Sequence, residues 1–204
     1  MQGVDFIFSI LILLMSVIVH EVSHGFTAYL LGDPTAKYEG RLTLNPIKHL
    51  EFLGSFLVPT VFYLSSGMIF GWAKPVPYNP YNIKAVNPKI GGGLIGAAGP
   101  TSNFIIAGIF SLIVHYGGAL SFMTPAFLNV ATLIIIVNVS LGSFNLLPLP
   151  PLDGSKILFA LLPRGLQHIE NILEKYGFIF LIIFIVFFGN YISPIIQTIL
   201  HFFL

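Results

Sequence analysis

The sequence predicts an all-α polytopic membrane protein, and three observations predict it. Of the 204 residues, 55% are hydrophobic and 8% charged, whereas a typical soluble domain is about a quarter charged. Apolar runs long enough to cross a bilayer recur at 6–31, 91–116 and 126–147. The polar residues fall into short basic or proline-rich segments between them, too few to clothe a water-facing surface. Mean hydropathy is +0.90, and 20 Phe and 8 Tyr beside one Trp suit a lipid-facing exterior. A net charge of +1 gives no electrostatic footprint for nucleic acid. Cysteine is absent, which excludes thiolate ligands, disulfides and cysteine nucleophiles together. Any metal must be held by histidine and carboxylate.

The run at 6–31 is sufficient for a slightly tilted crossing of a hydrocarbon core of roughly 30 Å, and Gly32-Asp33-Pro34 stops it. Met1-Gln2-Gly3-Val4-Asp5 carries no basic region and no small-residue cleavage site follows, so a retained span is expected rather than a signal peptide. Alternation over 37–44 predicts a short strand closed by Asn45-Pro46. Residues 52–70 are apolar again, but Gly54, Pro59 and Gly67 weaken them as a helix. Residues 71–80 are too rich in proline for a helix and are predicted to run extended or as turns. The second clear span, 91–116, contains Gly99-Pro100-Thr101-Ser102-Asn103, and residues 116–125 carry no charge. The third, 126–147, carries Asn138 and Asn145 and ends in Pro148-Leu149-Pro150-Pro151-Leu152-Asp153-Gly154. Residues 155–175 read as an interfacial helix pair broken at Pro163. The apolar stretches 177–188 and 192–204, separated by Gly189-Asn190-Tyr191 and Pro194, form one kinked span or a shallow hairpin. No internal repeat is visible. A single domain over 1–204 is expected, with a three-helix core at about 6–160 and C-terminal helices at about 165–204.

Residues 33–50, 71–90 and 155–175 are all basic, and the positive-inside rule places them in the cytoplasm. The N-terminus and 116–125 then lie outside. Both flanks of 52–70 fall on one side, which favours a re-entrant segment over a crossing, and re-entry is admissible only where protein buries it.

The chemistry centres on Val19-His20-Glu21-Val22-Ser23-His24-Gly25, which interrupts the first span. Only 8 acidic residues exist in the chain, and an ionisable group at membrane depth is a functional candidate by default. Two histidines four apart share one helix face. That spacing suits a tetrahedral zinc, with the intervening glutamate turned toward the reacting water. A third protein ligand is needed. Asp5, Asp33, Glu39 and Glu51 fall at span ends or in polar loops, where solvated charge is the ordinary explanation. Glu170 and Glu174, beside Arg164 and Lys175, read as a wet interfacial face. Asp153 follows a proline-rich break that folds a carboxylate back toward a neighbour, at the same depth as His20 and His24 in this topology. The alternative is a cap for a helix starting near Ser155. His49, His115, His168 and His201 have no spaced partner and are expected at the interface. Asn103 and Asn145 accompany proline–glycine breaks and are candidates for contact with an extended substrate. Interhelical hydrogen bonding is the alternative, more so for Asn138.

These motifs resemble the site-2 protease family of intramembrane zinc metalloproteases. His20-Glu21-Val22-Ser23-His24 matches its first motif, Ala98-Gly99-Pro100-Thr101-Ser102-Asn103 resembles its middle one, and Asn145 to Gly154 matches the element that supplies the third ligand. The Asp-Pro-Thr-Ala-Lys and Gly-Trp-Ala-Lys-Pro-Val-Pro stretches look like the compact prokaryotic subgroup, without PDZ or CBS domains. The resemblance implies one Zn2+ per chain held by His20, His24 and Asp153, with Glu21 as general base. It also implies transmembrane protein substrates and a multi-pass location in a prokaryotic plasma membrane, with the active site nearer the cytoplasmic face. A transporter or channel using intramembrane carboxylates and a non-catalytic metal-binding scaffold are the competing classes.

Overall fold

A computed structural model describes residues 3–49, 74–117 and 124–204. The predicted re-entrant segment at 52–70 lies outside these residues. Among the described residues the fold is helical, with no strand. Helix α1 (Gly3–Leu30) is followed by a single turn, α2 (Thr35–Tyr38). Two long helices follow, α3 (Pro88–Tyr116) and α4 (Pro125–Asn145), then the short α5 (Asp153–Leu161) and the 35-residue α6 (Gln167–His201). Helices α1, α3, α4 and α6 are each long and apolar enough to cross a membrane. The protein is an integral membrane protein of the predicted class.

Local chemistry sets the ends of these helices. Asn87 caps α3 by accepting from the Lys89 N–H, with Pro88 in the first turn, where a missing N–H is harmless. Thr124 and Pro125 repeat the arrangement at α4. Helix α3 is the hub: it packs on α1, α4 and α5, while α6 touches chiefly α4 and stays largely uncovered.

Three expectations change. The strand predicted over 37–44 does not form: Lys37 and Tyr38 close the α2 turn, Gly40 at φ +65° reverses the chain, and 41–44 belong to no regular element. The alternation arises because Arg41 is buried, its guanidinium donating to the Lys48 carbonyl, so a polar side chain occupies an inward position. His49, expected at the interface, is fully buried and donates from Nε2 to the Thr43 carbonyl at 2.8 Å. At the C-terminus the two apolar stretches form one helix with Pro194 inside it. The break at Pro163 is real, but the second member of the predicted interfacial pair continues into α6 without interruption. Proline is tolerated inside membrane helices, and the Thr198 hydroxyl donates to the Pro194 carbonyl one turn back.

The basic segments converge at one end of the bundle. The Lys84 and Ala85 N–H groups donate to the Leu31 carbonyl that ends α1. Lys89 bridges to the Leu162 carbonyl and to Glu170. Residues 74–79 cross the same end without regular structure and lead into a single turn at Pro80–Asn82, in keeping with the expected non-helical course.

Candidate metal centre and active site

His20 and His24 project from one face of α1, their rings perpendicular with centroids 4.7 Å apart. They lie about 15 and 9 Å from the end of the helix at 1.5 Å per residue, within membrane depth. Asp153 reaches them from the first turn of α5. Its Oδ2 lies 2.9 Å from His20 Nε2 and 3.0 Å from His24 Nε2. The helix begins at Asp153 itself, after Leu152 at the N-cap position, so Asp153 is not the cap of a helix starting near Ser155. The prolines at 148, 150 and 151 break the path out of α4, and Gly154 permits the return. A Cβ there would run into the carbonyls of Leu146 and Leu147.

The outer nitrogens fix what the inner ones present. His24 Nδ1 donates to the Ile95 carbonyl at 2.6 Å. A carbonyl can only accept, so His24 carries its proton on Nδ1 and offers Nε2 as a bare lone pair. His20 Nδ1 donates to Asn103 Oδ1 at 2.6 Å, with the same consequence. Two bare nitrogens and a carboxylate oxygen within 4.8 Å of one another repel unless a cation lies among them. All three residues are buried, at 4–6% exposure, so bulk water does not relieve that repulsion. Two imidazoles and one carboxylate form a donor set suited to zinc with a fourth position open. Space is reserved as well: a Cβ on Gly99 would lie 2.5 Å from His24 Nε2 and 2.6 Å from His20 Nε2.

Lys156, one turn after Asp153, binds its other oxygen Oδ1 at 3.0 Å. Glu21 turns to the other side of the centre, and its Oε2 accepts from the Val76 N–H at 2.9 Å. Together with Asn145, these groups line a cavity of about 140 Å³. A larger groove of about 220 Å³ between α4 and α6 contributes no His, Asp, Glu or Lys and carries no chemistry of this kind.

The two asparagines part company. Asn145 lines the cavity, its Nδ2 tied to the Leu141 carbonyl. Asn103 is fully buried behind His20, with both ends of its amide committed to protein partners. It is placed to orient a ligand, not to meet a substrate. Sequence reasoning missed Lys156, which an i,i+3 spacing from Asp153 offered. It also treated Asp33 as solvated. Asp33 is fully buried and accepts from Thr35 N and Oγ1, Asn79 N and Asn82 Nδ2. Burial would raise its carboxyl; those bonds hold it below the usual value. The Asp-Pro-Thr spacing, with Asp bonding two residues ahead, was the available signal.

Apolar spans around a buried His-Glu-x-x-His and a distant aspartate describe a membrane-embedded zinc metalloprotease. The chain belongs to peptidase family M50, whose family model matches residues 115–186, a stretch that takes in Asp153. YwhC of Bacillus subtilis is 42% identical over 190 residues, covering 90% of this chain and 82% of the relative. Rip2 of Mycolicibacterium smegmatis is 28% identical over 176 residues, 85% of this chain and 64% of its own length. MJ0611 of Methanocaldococcus jannaschii is 30% identical over 163 residues, 74% of this chain and 72% of the relative. All three bear the designation "Putative zinc metalloprotease". No solved structure matches the chain.

Proposed function

We propose that this protein hydrolyses peptide bonds in or near the transmembrane segments of membrane-protein substrates, with one zinc held by His20, His24 and Asp153. The whole chain acts as one domain around the core at about 6–160. The observation that carries the reading is the convergence of two bare Nε2 atoms and one carboxylate oxygen inside a membrane bundle, with Glu21 beside them. Zinc in such a set supplies Lewis acidity, which makes water a nucleophile near neutral pH and polarises the scissile carbonyl.

Glu21 does the proton work. Its carboxylate takes a proton from the attacking water as the new carbon–oxygen bond forms, and delivers it to the leaving nitrogen as the carbon–nitrogen bond breaks. The Val76 N–H now on Oε2 holds the carboxylate toward the cavity. A substrate helix hides its carbonyls in its own hydrogen bonds, so it must unwind to reach the centre. Asn145 at the cavity wall and the 74–79 segment offer polar groups to an opened backbone, as in strand addition. The basic segments at the 74–90 end support a cytoplasmic entry for water.

The test is cleavage of a membrane-anchored substrate co-expressed with the protein. Wild type releases a fragment, and Glu21→Gln lowers the rate by about 10²–10⁴-fold while retaining zinc. A Glu21→Gln protein that cleaves at the wild-type rate removes Glu21 from this role.

A further inference from the structure

Behind His20 lies a buried polar chain that crosses from α1 to α3 to α4 and back. Asn103 Oδ1 accepts from His20 Nδ1 at 2.6 Å. The other end of the same amide, Nδ2, donates to Asn138 Oδ1 at 2.9 Å and makes a longer contact with the Ser16 carbonyl at 3.4 Å. Asn138 Nδ2 in turn donates to Ser16 Oγ at 3.0 Å and to the Ile134 carbonyl at 2.9 Å. Asn103 and Asn138 are wholly buried, and Ser16 is 5% exposed.

The direction of each bond matters. A carboxamide can present either its oxygen or its nitrogen to a histidine, and the two faces are nearly the same shape. If the Asn103 amide turned over, its N–H would meet His20 Nδ1, and the imidazole would have to carry its proton on Nε2. That nitrogen would then be useless as a ligand. The Asn138 oxygen forbids the turn, because it accepts only from the nitrogen end of Asn103. Asn138 is itself held by the Ile134 carbonyl, an acceptor that cannot change roles. The tautomer of His20 is therefore set two side chains away, by the backbone of α4.

We propose that Asn138, acting through Asn103 and steadied by Ser16, is a positioning residue that fixes His20 with Nε2 bare for the metal. This rests on the zinc site proposed above. The groups that orient a metal-binding histidine typically change metal affinity by 10–100-fold. In the full chain purified in detergent, zinc affinity is measured by chelator competition for wild type, Asn138→Leu, Asn103→Leu and the double variant. Visible spectra of the Co2+-loaded proteins report the geometry at the metal.

Each single variant is expected to lose about tenfold or more in zinc affinity and to shift the Co2+ bands, and the double variant is expected to be no weaker than Asn103→Leu. Unchanged affinity in Asn138→Leu, or losses that multiply in the double variant, overturns the proposal. Should Asn138→Leu fail to fold, Asn138→Asp decides. Its buried carboxyl, held neutral, keeps an acceptor oxygen for Asn103 Nδ2 and an O–H for the Ile134 carbonyl, and it is expected to hold zinc within a few fold of wild type, whereas Asn103→Leu is not. Asn138→Asp as weak as Asn103→Leu also overturns it. Wild type without zinc overturns the metal site itself, and this inference with it.

Discussion

Replacing Gly99 by alanine tests the geometry of the centre from a position that carries no chemistry. The added Cβ would lie 2.5 Å from His24 Nε2 and 2.6 Å from His20 Nε2 and Cε1, where ordinary contact needs about 3.5 Å. Both rings must retreat by about 1 Å, several times the roughly 0.2 Å within which ligand distances are held. Retreat is opposed at the far side of each ring, by Asn103 and by the Ile95 carbonyl, each bonded at 2.6 Å. Overpacking of this kind costs about 1–3 kcal/mol, and each weakened hydrogen bond about 0.5–1.5 kcal/mol. The sum is about 2–6 kcal/mol, and even its lower end corresponds to roughly a 30-fold loss of zinc affinity at 1.4 kcal/mol per decade. The assay is chelator competition in detergent. Gly92→Ala is the control, because a Cβ there meets nothing within 4 Å on the same helix. Gly99→Ala with the zinc affinity of Gly92→Ala would refute the reasoning.

Lys156→Met removes the cation from Asp153 Oδ1 and leaves Oδ2 against the histidines. The pair is partly exposed, so the expected loss of zinc affinity is modest, about 3–10-fold, and Lys156→Arg restores most of it. Equal affinities for Met and wild type would count against that role. Asp33 makes a pH prediction. Its folded value lies below the ordinary carboxylate value of about 3.9, so its contribution to stability is present above that value and is lost as pH falls through the folded one. Thermal midpoints of wild type should exceed those of Asp33→Asn by a constant amount above about pH 5 and converge with them below about pH 4. A gap that widens on acidification contradicts the assignment.

The spans were legible because apolar length and composition fix them without reference to packing. The candidate metal pair was legible because His20 and His24 carry their spacing in the sequence and interrupt an apolar span. Asp153 was reachable by elimination among eight acids, since a proline-rich break after a span leaves few reasons for a carboxylate. What failed were the burial states that tertiary partners set. Asn103 looked like a substrate contact because its neighbours Gly99 and Pro100 suggested open backbone, whereas α1 and α4 close over it and consume both ends of its amide. Arg41 and His49 mimicked a polar loop face because periodicity registers polarity, not burial. Asp33 looked solvated for the same reason, although Asn79 and Asn82, which bury it, are 46 and 49 residues away. The strand was lost to a four-residue turn too short to leave a periodic signal.

The most direct test of the account is zinc per chain in detergent-purified protein, for wild type, Asp153→Ala and Glu170→Ala. Glu170 is an acid of the same span of sequence whose partner is Lys89 at the surface. About one zinc is expected in wild type and in Glu170→Ala, by the single three-ligand site, and none in Asp153→Ala. Zinc retained in Asp153→Ala would separate the two motifs, and a metal-free wild type under replete conditions would contradict the metalloprotease mechanism outright.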